Sequence, residues 1–196
     1  MDLDDSLPTF YAPNRAEWRT WLANHYNTAS SVWLIMYYKK SGIASVYYEE
    51  AVQEALCFGW IDSKGKKRDG KSSYLYFAPR QPKSKWSKPN KERVESLIKA
   101  GLMTPAGQVL IDLAKKTGTW EALDAVDNLE IPADLQELFT SNKTAYQNFQ
   151  QFPSSSKRMI LEWIQNARRP ETRQKRVEET VKLAQQNKRA NHWQTK

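Results

Sequence analysis

Hydrophobic and polar positions follow two different periods along the chain. Trp18, Trp21 and Leu22 recur at i, i+3, i+4, the spacing of one helix face. Asn14 ahead of them, with Glu17 three residues on, offers an N-cap oxygen and a first-turn carboxylate. Residues 32–38, VWLIMYY, are short and rich in β-branched and aromatic side chains, which predicts a buried strand. Lys39-Lys40-Ser41-Gly42 ends it. A second helix is predicted within residues 45–58, with Val52, Ala55 and Leu56 on one face, Glu49 and Glu50 in its first turn and Gly59 as its stop. From Trp60 the period falls to two. Asp62 and Lys64 share one face of the predicted strand, Ile61 and Ser63 the other. Residues 65–71, GKKRDGK, are too polar for a core and hold two glycines, so they read as a hairpin tip. Tyr74, Tyr76 and Ala78 then alternate with Leu75 and Phe77.

Beyond residue 86 the helical period takes over. Ser87 is placed to cap a helix with Val94, Leu97 and Ile98 as its buried stripe. Thr104-Pro105 opens another, with Ala106, Val109, Leu110 and Leu113 as its stripe. An acidic connector spans residues 120–132. Further stripes follow: Leu135, Leu138 and Phe139; Ala145, Tyr146 and Phe149; Ile160, Trp163 and Ile164; Val177, Val181 and Ala184. These patterns predict an α+β fold. A small antiparallel sheet with a hairpin packs against helices in the N-terminal half, and the C-terminal half is helical. A division into residues 1–125 and 126–196 is expected, with one fused core as the alternative.

Composition narrows the function classes. With 196 residues, 40% of them hydrophobic, the chain can bury a core without covalent staples. The one cysteine, Cys57, excludes an intrachain disulfide; on the apolar side of its helix it is expected to be buried and inert. Two histidines, His25 and His192, are too few for a zinc site, so no metal and no cofactor is expected. No apolar run reaches the ~20 residues of a membrane helix. The acidic opening MDLDDSLPTF lacks the charge and apolar stretch of a signal peptide. A cytoplasmic protein without membrane insertion is the expectation. The net charge of +8 is unevenly spread: −3 over residues 1–61, +8 over 62–99, −4 over 100–156 and +7 over 157–196. If the two basic blocks meet, they form a face for phosphates or carboxylates; if each pairs with an acidic neighbour, the charges are structural.

Two boxes carry a resemblance. GWIDS after the EEAVQEAL helix, then PRQPKSKWS leading into KERVESLIKAG and MTPAG, forms the first; LEWIQNARRPETRQKR forms the second. In this order they resemble the YdeI/OmpD-associated family of bacterial proteins, over a span from about Trp18 to Leu183. The resemblance implies a link to bacteriocin protection and to an outer-membrane porin. It brings no reaction and no catalytic residues.

Three constellations could carry chemistry. Trp60, Asp62, Lys64, Arg80, Lys83, Trp86 and Ser87 could form a basic-aromatic lip, because arginine reads carboxylates and phosphates with paired hydrogen bonds and indole rings wall or stack on a ligand. The bland reading makes both tryptophans core and Ser87 only a cap. Asp62 could alternatively serve a small-molecule enzyme, but no partner carboxylate or histidine stands near it in sequence, and no HExxH, GxSxG or glycine-rich phosphate loop occurs. Arg169, Arg173 and Arg176 line one helical stripe and, with the hairpin tip, could give unspecific nucleic-acid affinity. The leading expectation is a non-enzymatic binding protein for an anionic small molecule or an acidic protein partner.

Overall fold

The computed structural model describes residues 8–191. His192 lies outside them. The chain forms two compact units, Met1–Glu121 and Ala122–Lys196.

The first unit is built on a four-stranded sheet of order β1-β2-β4-β3. Its strands are β1 (Thr9–Tyr11), β2 (Val32–Tyr37), β3 (Trp60–Lys67) and β4 (Ser72–Pro79). The fold class is α+β as expected. β2, β4 and β3 pair antiparallel, and β1 joins β2 in parallel, so the sheet is mixed. A three-residue edge strand leaves little pattern of its own.

Helices α1 (Arg15–His25) and α2 (Tyr48–Cys57) cover one face of the sheet. α1 starts where Asn14 predicts, its Oδ1 accepting the Glu17 backbone N–H at 2.9 Å. Its Trp18 and Leu22 are fully buried. Trp18 lies 5.2 Å from the Phe77 ring, and Trp21 meets Trp60 edge-on at 5.8 Å. Both buried indole N–H groups find backbone acceptors, Trp18 at Ala51 O and Trp60 at Tyr26 O, each at 3.0 Å, as buried tryptophan requires.

Helices α3 (Lys88–Lys99) and α4 (Pro105–Thr117) complete this unit. Here three sequence expectations are corrected. Ser87 occupies the N-cap position of α3 without a side-chain cap bond. Ile98 is exposed while Val94 and Leu97 are buried. The buried face of α4 is Gly107, Ile111 and Ala114, and Val109 is 63% exposed. The reason is close approach: a Cβ on Gly107 would lie 2.5 Å from Cys57 O and 2.7 Å from Leu56 O. The close approach is made at Gly107, so its face turns inward and the Val109 side of α4 turns away from it.

The hairpin also differs from its pattern. β3 runs through Lys67, which leaves a tip shorter than residues 65–71. Asp62 pairs with Phe77 and Gly65 with Leu75, with a bulge between them, so Ser63 and Lys64 together oppose Tyr76. The bulge sends Asp62 and Lys64 to opposite faces, not to one.

The second unit is helical: α5 (Asp124–Asp127), α6 (Ala133–Ser141), α7 (Lys143–Gln151), α8 (Ser154–Gln165) and α9 (Pro170–Gln185). α9 packs on α6, α7 and α8. Leu135, Phe139, Phe149, Ile160, Ile164 and Val177 form its core. Tyr146, expected on the apolar face of α7, is 37% exposed.

Gly107 gives the first test. Alanine there gains about 1 kcal/mol of helix propensity but forces a methyl against two backbone carbonyls, and overpacking of that kind costs about 1–3 kcal/mol and more against rigid atoms. Gly107→Ala is therefore expected to lower unfolding free energy by about 2 kcal/mol in urea titrations; a rise would show that the two helices can separate freely.

Candidate functional site

Three surface pockets each carry one arginine. In the second unit a pocket of about 240 Å³ between Val126, Leu161 and Ile164 holds Arg173. Its guanidinium is bound by Asp134 through two bonds of 2.6 and 3.0 Å, and that pairing holds the Asp134 carboxyl below the usual range. A pocket of about 260 Å³ between α2 and α3 holds Arg93, bound twice by Glu49 at 2.8 and 2.7 Å. The third is an open groove of about 500 Å³ in the first unit, and its arginine is Arg80.

Local structure explains this groove. Gly59 ends α2 at φ +74°, and a Cβ there would meet Leu110 Cδ1 at 2.8 Å. The glycine turns the chain into Trp60 and lets α4 lie alongside. At this same end of the β3–β4 ladder the Arg80 N–H bonds Gly59 O at 2.9 Å. Phe58, Trp60, Pro79, Pro105, Val109 and Leu110 supply apolar wall, and Arg80 is the sole charged residue in the lining.

Arg80 is 6% exposed. Its guanidinium lies 3.8 Å from the Trp86 ring centroid, and Nη2 donates to Lys85 O at 2.5 Å. Its Nε–H is buried without an acceptor, and among the described residues no carboxylate pairs with it. Burial pulls its pKa down to about 10, so it stays charged at neutral pH. That displacement corresponds to a cost on the order of 3 kcal/mol, offset in part by the Trp86 face and the Lys85 carbonyl. Trp86 in turn meets Trp120 at 5.0 Å, and Lys91 and Lys115 stand over the Trp120 ring at 5.8 and 5.2 Å.

Of the seven residues singled out in the lip, Trp60 and Arg80 line the groove and Trp86 backs Arg80. The other four lie apart. Asp62 accepts the Tyr48 O–H at 3.1 Å. Lys64 stands over Trp33 and Tyr76. Lys83 is exposed, and Ser87 begins α3. In the second unit, Arg169 is exposed at the N-cap of α9, Arg173 pairs with Asp134, and Arg176 lies over the Trp163 ring and donates to Trp163 O. Sequence reasoning missed the groove's far wall, because Val109 and Leu110 read as core. Among the described residues no group of three or more His, Cys, Asp and Glu could hold a metal, and no helix is long and apolar enough to cross a membrane. Cys57 is buried, its thiol pushed up by burial and by Glu54.

The comparisons follow the same division of the chain. Residues 10–110, just over half of it, match a family described as "Domain of unknown function (DUF8412)". The chain belongs to that family. Residues 128–187 match the family described as "Bacteriocin-protection, YdeI or OmpD-Associated", so the C-terminal region carries the resemblance read from LEWIQNARRPETRQKR. The first box, GWIDS included, falls within the other family's match. No curated protein and no solved structure matches the chain.

Structural and unpaired charges should respond differently to removal. Glu54, 1% exposed, is held by Arg15 at 2.5 Å and Arg19 at 2.6 Å. Glu54→Gln leaves two arginines without their counter-charge and is expected to cost about 3 kcal/mol. Arg80→Met removes a buried cation that no carboxylate among the described residues compensates, and is expected to leave the urea midpoint unchanged or raised. A loss at Arg80 as large as that at Glu54 would make Arg80 a packing residue.

Proposed function

We propose that the chain is a non-enzymatic, cytoplasmic binding protein whose groove takes a small organic acid, with its anionic group at Arg80 and its apolar body along Trp60, Val109 and Leu110. The observation that carries this reading is the buried, charged Arg80 with no carboxylate partner among the described residues, at the edge of an otherwise uncharged groove. A cation in a low-dielectric wall attracts an anion more strongly than one in water, and arginine binds carboxylates through paired N–H bonds. The volume lies within the ~300–1,000 Å³ of small-molecule sites. Asp62 sits outside the groove, bonded to Tyr48 at 3.1 Å, which supports binding over acid–base chemistry.

The C-terminal match names bacteriocin protection in its description. A chain of net charge +8 repels cationic peptides at its basic faces. The proposed contribution to tolerance is therefore regulatory, set by the bound acid, and not direct capture.

The test uses an anilinonaphthalene sulfonate as fluorescent probe, displaced by decanoate or by decanol. Decanoate is expected to displace it at least tenfold better than decanol, and Arg80→Gln should abolish that preference. Val109→Glu, at an exposed position, should weaken decanoate without touching the core. If Arg80→Gln discriminates between decanoate and decanol as the natural chain does, the groove is not an anion site.

A further inference from the structure

The sheet of the first unit has two unlike faces. On one, Phe77 and Trp60 meet the tryptophans of α1. On the other, strand register sets Trp33 opposite Tyr76 and Ile35 opposite Tyr74. Tyr76 and Tyr74 lie edge-on to Trp33 at 5.0 and 6.1 Å. Tyr11, from β1, lies edge-on to Tyr37 at 5.4 Å. Tyr37, Tyr74 and Tyr76 are half-buried and Tyr11 is exposed.

Cations stand over these rings. The bulge delivers Lys64 to this face, its Nζ 5.1 Å from the Tyr76 centroid and 5.5 Å from that of Trp33. Arg68 lies 5.8 Å from the Tyr74 centroid and donates to the Tyr37 hydroxyl at 3.3 Å. Both basic residues are exposed. Asp69, at the hairpin tip, is 3.5 Å from Arg68, and its other oxygen is taken by the Lys71 and Ser72 N–H groups and the Ser72 hydroxyl. At the centre, Trp33 is 4% exposed and its indole N–H is buried without an acceptor.

We propose that this outer face binds single-stranded nucleic acid, with bases stacked on Tyr74 and Tyr76 and the phosphate backbone on Lys64 and Arg68. Residues two apart on a strand stand about 7 Å apart on one face, which leaves room for one base on each ring. Every base has a π face, so such stacking tolerates sequence. An exposed lysine over a tyrosine ring occupies the position a base would take; moving it to a phosphate frees the ring and opens the Trp33 N–H to an acceptor on the base. A duplex has its bases already stacked and gains only the charge term. Residues 62–99 carry the +8 block that draws a polyanion. The face is independent of the Arg80 groove, which lies on the other side of the ladder, where Trp60 packs on α1.

Fluorescence anisotropy of the full chain with labelled oligothymidylate and oligouridylate of about fifteen nucleotides, against a duplex of equal length, tests this at low and high salt. Single strands are expected to bind at least tenfold tighter than duplex, and the two single strands compared decide between DNA and RNA as the source. Tyr74→Leu keeps an apolar side chain but loses the ring, and should weaken single-strand binding by about tenfold while leaving duplex binding unchanged. Joint Lys64→Gln and Arg68→Gln should weaken both and flatten the salt dependence. Arg80→Gln should change neither. Equal affinity for single strand and duplex, natural-chain affinity in Tyr74→Leu, or no binding at all would each overturn the proposal.

Discussion

The approach of α4 to the end of α2 sets the geometry of the first unit. Gly107 brings the α4 backbone onto the carbonyls of Leu56 and Cys57, and Thr104 adds a hydroxyl bond to Cys57 O at 2.5 Å. Both are C-terminal carbonyls of a helix, which lack intrahelical donors: Leu56 O takes the Gly59 N–H at 3.1 Å, and Cys57 O takes the Thr104 N–H at 3.3 Å. At Cys57 one helix end is thus satisfied by another's beginning. Because the close approach is made at Gly107, with Ile111 and Ala114 on the same buried face, Val109 and Leu110 are left on the flank of α4. There they meet Gly59 and the strand end that carries Arg80, and the groove results. Its position is a by-product of how closely two helices approach.

Much of this was legible in the sequence where a local rule decides. The Asn14 cap, the aromatic β2 strand and the glycine stop of α2 each depend on neighbours a few residues away, and each stands as read. The bulge at Ser63-Lys64 was not legible, since it exists only relative to the strand opposite. It put Asp62 and Lys64 on opposite faces. The α4 stripe misled for a related reason: hydrophobicity marks Val109 and Leu110 as core, but which face is buried depends on whether a partner can approach, and glycine is the residue that permits it. Arg80 and Trp86 could be grouped because a short, proline-held segment joins them. Glu49 and Arg93 could not, since their pairing crosses two helices.

Charge followed the same logic. The basic blocks of the sequence are not one surface type. Arg93, Arg158 and Arg173 are each matched by carboxylates from acidic segments, and Arg176 is spent on Trp163. Such pairs contribute little individually when exposed, yet they take charge out of the field a ligand meets. What remains distinct is a hairpin whose cations lie on aromatic rings and the buried Arg80 guanidinium, which pairs with no acid among the described residues.

That guanidinium lies over an indole, which in turn leans on a second indole under two lysines. Indole emission is sensitive to charge at van der Waals range, so the cation sets the electric field across Trp86. An anion arriving at Arg80 would partly cancel that field and shift the colour of the emitted light. Occupancy of the proposed site would thus be read optically at Trp86, a ring outside the groove's lining.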